Sequence, residues 1–269
     1  MKTKAYPSDM TDVEWCLFES LIPPPKPGGR PRTLCMRAVV NAIFYVLRSG
    51  CAWRMLPHDF PAWQTVYGYF RTWRREGRWE SMNDALRESV RAQAGRETEP
   101  SAAIIDSQSV KTTETKGERG FDANKNIKGR KRHILVDVMG LLLCVLVHKA
   151  NIQERAGAKL VLQRVKEKGF ARLQLIWADA GYDGQPMCDW VFHLARWVFE
   201  VIKRSDSTKG FVVLPRRWVV ERTFAWLGRY RRLSKDYEQL TQTSEAMIYA
   251  AMIRLMLKRL AANPAIQTF

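Results

Sequence analysis

The chain has 269 residues, 46% of them hydrophobic, and carries 44 Lys+Arg against 27 Asp+Glu, a formal net charge of +17. That is length and apolar content for one large or two modest domains with a packed core, which excludes low-complexity disorder. The longest apolar stretch, Val138 to Val147, is half of the roughly 20 residues a spanning helix needs, and MKTKAYPSDM at the start has no apolar targeting segment, so neither a membrane span nor export is expected. The positive surplus suits a polyanionic partner, of which nucleic acid is the commonest.

In chain order, Asp12 to Ile22 reads as a short helix stopped by Pro23-Pro24-Pro25-Lys26-Pro27-Gly28-Gly29. Thr33 precedes a second helix to about Arg48, with Met36, Val39, Val40, Ile43, Phe44 and Leu47 at helical spacing, and Gly50 ends it. A helical turn at Trp53 to Leu56 and a break at Pro57-His58-Asp59 lead to a third helix, Pro61 to about Glu76. There Trp63, Val66, Tyr67, Phe70 and Trp73 share a core face, while Gln64, Gly68, Arg71 and Arg75 lie on another. Helix, turn and helix with a basic outer face is the layout of a helix-turn-helix reader, and Gln64 and Thr65 stand near the helix start, where base edges are read. The alternative is an ordinary solvated face.

Composition changes after Gly95 to Ser101 (GRETEPS), which divides the chain into a helical DNA-binding region, 1–95, and an α/β region, 96–269. Ala102 to Ile105 is a short strand ending in Asp106. Lys125, Lys128, Arg130, Lys131 and Arg132 crowd a glycine-containing loop, Gly120 to His133, read as a backbone-contacting or simply solvated charge run. His133 to Val138 and Leu141 to Lys149 form a hairpin turning at Met139-Gly140. Glu154 to Lys168 is an amphipathic helix closed by Gly169; Leu173 to Ala178 is a strand ending in Asp179. Gln185 to Trp197 is helical, Val198 to Lys203 a strand, and Arg216 to about Tyr237 and Ser244 to Leu260 are helices. In the last of these the apolar residues read as core or as a protein interface. This order predicts a ribonuclease-H-like mixed sheet flanked by helices.

Five cysteines, odd in number and widely spaced, read as reduced and mostly buried, and the four histidines form no zinc pattern. A metal would therefore sit on carboxylates. Asp106 and Asp179 directly follow apolar strands, and Glu221 lies in a late helix; convergent, oxygen-only ligands suit Mg²⁺ or Mn²⁺. Two such ions roughly 3.5 to 4 Å apart can serve the attacking and leaving oxygens of a phosphodiester. Spacing alone leaves Asp122, Asp137 and Asp183 equally eligible.

The segment RWVVERTFAWLGRYRRLSKDYE, Arg217 to Glu238, resembles the glutamate-bearing signature of bacterial insertion-sequence DDE transposases, closest to insertion-sequence family five. IIDSQSVK (Ile104 to Lys111) and ADAGYDG (Ala178 to Gly184) resemble the two aspartate segments, and GFDANKNIKGRKRH (Gly120 to His133) the basic segment between the first strands. DVEW (Asp12 to Trp15), GGRPR (Gly28 to Arg32) and CAWRMLP (Cys51 to Pro57) match the DNA-binding region. The resemblance implies Asp106, Asp179 and Glu221 as catalytic metal ligands, with Mg²⁺, replaceable by Mn²⁺, in a two-metal site. Arg217 matches the arginine of the Tyr-Arg-Glu-Lys signature, but Leu214 and Gly228 replace its tyrosine and lysine. In one continuous helix Arg217 sits about 40° and Arg232 about 20° from Glu221. That phase suggests Arg217, Arg222, Arg229 and Arg232 as phosphate clamps, with Arg232 substituting for the lysine, or else a charged helix face; Trp226 reads as core.

The family implies a transposase that binds the terminal inverted repeats of its element. It would cleave double-stranded DNA there and transfer the 3′-hydroxyl ends into target DNA, as a homodimer or higher assembly in a bacterial cytoplasm at the nucleoid. The alternatives are a catalytically silent DNA-binding regulator and a ribonuclease-H-like structure-specific nuclease.

Overall fold

The structure, a computed structural model, describes residues 5–25, 28, 32–114, 116–202 and 215–262. Helix α1 (Asp12–Glu19) opens on a capping box, in which Thr11 Oγ1 accepts from the Glu14 N–H and the Glu14 carboxylate from the Thr11 N–H, satisfying two otherwise orphaned donors. Helix α2 (Met36–Ser49) stops where Gly50 adopts φ 75°, the left-handed cap its position called for. A 3-10 turn, Trp53–Met55, leads to α3 (Trp63–Arg75). Helix α4 (Arg78–Gln93) was not anticipated from sequence. Its buried Trp79, Met82, Leu86 and Val90 do recur at helical spacing, but charged residues crowd the positions between them.

The remainder runs β1 (Ala102–Lys111), β2 (Gly120–Asp122), β3 (Ile127–Asp137), β4 (Leu142–Lys149), α5 (Glu154–Lys168), β5 (Leu175–Ala178), α6 (Gln185–Ala195), β6 (Val198–Val201), α7 (Pro215–Gly228) and α8 (Thr241–Ala261). All six strands form one sheet. β1 is central, antiparallel to β3 and parallel to β5; β3 pairs antiparallel with β4 and, at its start, with β2; β5 pairs parallel with β6. This mixed sheet with helices on both faces is the ribonuclease-H-like arrangement expected from the element order.

Strand alternation sorts the core. Ala103, Ile105, Leu135 and Ile176 pack with Val161, Leu162 and Val165 of α5 and Val191 of α6, while Ile104, Ile134, Val136 and Trp177 belong to the opposite face with α7 and α8. Fifteen of the 21 residues of α8 are buried, too many for one apolar stripe, so the helix must be covered all round. β4 covers one side, and α1, α2, α3 and α4 cover the rest. The helices before residue 95 thus share a continuous hydrophobic cluster with the sheet and α8.

Four expectations change. The strand read as ending at Asp106 continues through it to Lys111, so this aspartate stands within β1 and not at its end. The basic segment is strand: β3 starts at Ile127, six residues before the predicted His133, and Arg130, Lys131 and Arg132 are buried in it. The helix expected to run to Tyr237 ends at Gly228 and is followed by a 3-10 turn at Arg231–Leu233. All five cysteines are free, as read, but only Cys144 is buried. The Leu214 position lies outside the described residues. Among the described residues no helix is long and apolar enough to cross a membrane.

Arg91 of α4 joins the helical part to the β3–β4 turn. Its guanidinium pairs with the fully buried Asp137 and its Nε donates to the Glu97 carbonyl at 2.7 Å. Asp137 Oδ1 accepts from the Met139 and Leu141 N–H groups at 2.9 and 2.8 Å. Removing one partner of such a buried pair strands the other charge. Arg91→Ala should therefore lower the unfolding free energy by about 3–5 kcal/mol, measured by urea denaturation; a loss within about 0.5 kcal/mol would match an ordinary surface position and refute the role.

Candidate active site

Two neighbouring parallel strands set the site. β1 and β5 pair Ala102 with Leu175, Ala103 with Ile176 and Ile104 with Trp177. Two residues further along each chain stand Asp106 and Asp179, on the same face as Ile104 and Trp177 because side chains repeat every second residue. That face is the one α7 covers, packing on both β1 and β5. Asp179 also caps the 3-10 turn Ala180–Tyr182 through the Gly181 N–H at 2.9 Å.

Helix α7 is docked by its own sequence. Val220, Phe224 and Leu227 are buried at i, i+4 and i+7, a core stripe that leaves Glu221 beside it. Thr223 Oγ1 donates to the Gly140 carbonyl at 3.1 Å and Arg222 to the Met139 carbonyl at 3.2 Å, which seats the helix on the β3–β4 turn. Gly140, at φ 78°, permits that approach: a Cβ there would stand 2.7 Å from Thr223 Oγ1 and 2.8 Å from the Trp226 ring. At the helix start, Arg216 lies 4.6 Å over the Trp177 ring and 3.4 Å from Glu200.

The electrostatics are uneven. Burial first, with the Asp179 carboxylate adding to it, raises the Asp106 carboxyl to about 7, although the Ser107 N–H, Lys125 and Arg217 all act to lower it. The Ser107 N–H reaches Asp106 Oδ1 at 2.6 Å. Glu221, 48% exposed, is paired with Arg217 at 3.3 Å. Arg217 thus stands between the two, paired with one carboxylate and acting on the other. Among the described residues no three His, Cys, Asp or Glu side chains are gathered closely enough to hold one metal ion. The donors themselves suit a hard divalent cation. They are all oxygen, and Asp106 and Asp179 face each other with too little positive charge to offset a desolvated carboxylate.

The other acids eligible from spacing have different work. Asp137 is the Arg91 partner, and Asp122 binds Ser109 Oγ at 2.5 Å and Lys131 at 3.4 Å. Asp183 is exposed.

The expected DNA contacts divide. Gln64, Thr65, Arg71 and Arg75 are all exposed on α3. Lys125 is 42% exposed and donates to the Ser107 carbonyl at 3.3 Å, beside Asp106. Arg130, Lys131 and Arg132 are not on a surface loop. Arg130 donates to the Glu118, Glu238 and Gln239 carbonyls, each at 2.8 Å, and pairs with buried Asp236 at 3.1 Å. Arg132 donates to the Leu233 and Lys235 carbonyls, and burial pulls its guanidinium down to about 10. Lys131 reaches Glu154 and the Ile152 carbonyl, both at 3.0 Å. These three cations tie strands and loops together, because a strand covered on both faces has no solvent-facing side.

Arg232 likewise leaves the surface. With α7 ending at Gly228 the helical phase no longer applies, and Arg232 pairs with Glu238 at 2.7 Å and donates to the Cys51 carbonyl at 3.1 Å. Arg222 lies between the Trp218 and Trp226 rings, 4.6 and 4.7 Å from their centroids. Arg229 is exposed. Sequence reasoning missed Gly140 and Glu154. Gly140 was legible as a turn, but not as a point of contact for α7. Glu154 holds Lys131 and approaches Ser107 Oγ at 3.5 Å, and nothing local marks it.

Residues 97–256 match the family described as "Transposase DDE domain", and residues 10–83 the family described as "Putative transposase of IS4/5 family". Two proteins from Burkholderia cepacia are similar in sequence. The "Insertion element IS402 uncharacterized 16.2 kDa protein" is 32% identical over 108 residues, which cover 37% of this chain and 71% of that protein. The "Putative transposase for insertion sequence element IS402" is 28% identical over 137 residues, covering 47% of this chain and 60% of that relative's length. No solved structure matches the chain.

Neutralising Asp106 removes a desolvated, repelled charge. In chelator at pH 8, Asp106→Asn should melt about 2–4 °C above the parent, the shift that about 1 kcal/mol produces at this size. A divalent cation should raise the parent's melting temperature more than the variant's, as measured by calorimetry. A variant that melts lower, or responds to cation as the parent does, would refute this account of the pair.

Proposed function

The chain belongs to the transposase DDE domain family, and from that premise we propose that it is a DNA transposase of the insertion-sequence type. It binds the terminal inverted repeats of its element, cleaves a phosphodiester at each end and transfers the freed 3′-hydroxyls into target DNA. The observation that carries this reading is the matched position of Asp106 and Asp179 on neighbouring parallel strands, under the helix that bears Glu221. In this reading Asp106, Asp179 and Glu221 hold Mg²⁺, or Mn²⁺ in its place, in a two-ion arrangement. Bound there, the ions would supply Lewis-acid stabilisation for an in-line displacement at phosphorus.

The chain's own residues provide the rest. Arg217 is paired with Glu221 and acts on Asp106, so it links the helix-borne carboxylate to the strand-borne one and partly offsets the repulsion between Asp106 and Asp179. Lys125, against the Ser107 carbonyl, and exposed Lys128 offer positive charge to a phosphate entering next to Asp106. The exposed α3 face reads the repeat, with Gln64 and Thr65 toward base edges and Arg71 and Arg75 toward phosphates. Two element ends act together, so the active form is a dimer or higher assembly on DNA, working in the bacterial cytoplasm at the nucleoid.

The test uses purified protein, Mg²⁺ and a plasmid carrying the DNA that flanks its own gene. Breaks at inverted-repeat ends, with 3′ ends joined to new DNA, are expected. Asp106→Ala should abolish both while leaving binding to the ends intact. Protection without cutting in either Mg²⁺ or Mn²⁺ would replace this reading with that of a DNA-binding regulator. Arg71→Ala with Arg75→Ala should weaken binding and reduce the slope of log affinity against log salt by about 2, one contact per arginine. An unchanged slope would return that face to ordinary surface.

A further inference from the structure

A second basic site lies beyond α7, away from the carboxylates. Pro7 and Ser8, the C-terminal half of α2, the end of α7 with the residues just after it, and the last turns of α8 enclose a cavity of about 600 Å³. Its lining includes Arg48, Arg229, Arg254, Lys258 and Arg259 and no carboxylate. Five cations from three separate segments around one cavity repel each other. Burial and then the neighbouring Arg254 and Arg48 hold Lys258 below the usual lysine range; burial and then Arg222 lower Arg259.

Two of the five have partners inside the protein. Arg254 pairs with Glu14 and donates to the Asp9 carbonyl at 3.0 Å, and Arg48 donates to the Arg229 carbonyl. The side chains of Arg229, Lys258 and Arg259 have no hydrogen-bond acceptor among the described residues, and Arg229 and Lys258 are exposed at the cavity. A protein gains nothing in stability from gathering unpaired cations, so the feature points to an anionic ligand.

Trp226 decides what kind. Its ring lies 4.7 Å from the Arg222 guanidinium and 4.5 Å from that of Arg259, and its edge abuts Gly140. A ring so engaged orients two guanidinium groups, so the cavity presents cations and not an open aromatic platform. We propose that this cavity is a sequence-independent site for the sugar-phosphate backbone of duplex DNA, with Arg229, Lys258 and Arg259 as its phosphate contacts. The inference rests on the DNA-transposing reading and extends the DNA path past the scissile bond. From Glu221 to Gly228 α7 rises about 10 Å, about three base-pair steps at 3.4 Å each. One duplex lying along α7 therefore reaches both sites.

The experiment uses the full chain and the double variant Arg229→Gln/Lys258→Gln, which leaves Arg254 on Glu14 and Arg259 on Trp226. Affinity for a duplex carrying the element end and for a scrambled duplex is measured between about 50 and 200 mM salt. Both affinities should fall by the same factor and both slopes should drop by about 2, with a parent-like melting temperature and an unchanged preference for the end sequence. Unchanged slopes, or a lost preference with the slope retained, would overturn the inference, the latter because the cavity would then read bases. Reduced slopes in a protein that neither prefers nor cuts the element ends would uphold the backbone site and discard the transposase reading. A parent that binds neither duplex would discard both.

Discussion

Helix α8 is buried on nearly its whole circumference, and that constraint organises the molecule. A sheet can cover only one side of such a helix. The remaining sides are closed by α1 to α4, so the aromatic-rich N-terminal helices are walls of the same core as the strands. Tyr249 on α8 donates to Glu80 on α4 at 3.0 Å, and Lys168 on α5 reaches both Glu80 and Asp84, so polar bonds span the same contact. The exposed face of α3 and the carboxylate edge of the sheet are thereby attached to one packed body. The spacing between these two surfaces is set by packing and not by a linker.

Where the positive charge sits matters as much as how much there is. Arg91, Arg130, Lys131 and Arg132 are buried and matched by carboxylates or backbone carbonyls. Such cations fasten the sheet to α4, to α5 and to the loop after α7; their charge is neutralised locally and does little for a distant anion. Attraction for a polyanion comes from the exposed groups, on α3, around Lys125 and Lys128, and at the cavity beside Trp226. These lie along the helical wall and the sheet edge that also bears Asp106.

The carboxylate site stores a mild conflict of its own. Asp106 is desolvated and faces Asp179, while Glu221 is balanced by Arg217. A stable fold tolerates this because α7 is seated independently, through Thr223 and Arg222 on the Met139-Gly140 turn and through Val220, Phe224 and Leu227 in the core. In the proposed reading a bound divalent cation would relieve this conflict.

Much of this was written in local sequence. The apolar runs before Asp106 and Asp179 marked two strands, although β1 continues through Asp106 to Lys111; Gly50 and Gly169 marked helix ends, and the segment around Glu221 carried its family resemblance without any fold. α4 escaped because its buried stripe is diluted by charge. The basic run from Lys125 to Arg132 was misplaced for a related reason. A charged strand is improbable unless partners exist for its cations, and those partners, Asp236 and the carbonyls of Leu233, Lys235, Glu238 and Gln239, come from about 100 residues later. The end of α7 at Gly228 withdrew Arg232 from a helix face for which it had the right phase. Sequence by itself singled out the candidate residues for the chemistry, because apolar runs, caps and short motifs are local. Tertiary structure alone decided which cations face solvent and which are consumed inside, and it assembled the cavity beside Trp226 from four distant segments, because pairing and burial depend on contacts that no local pattern encodes.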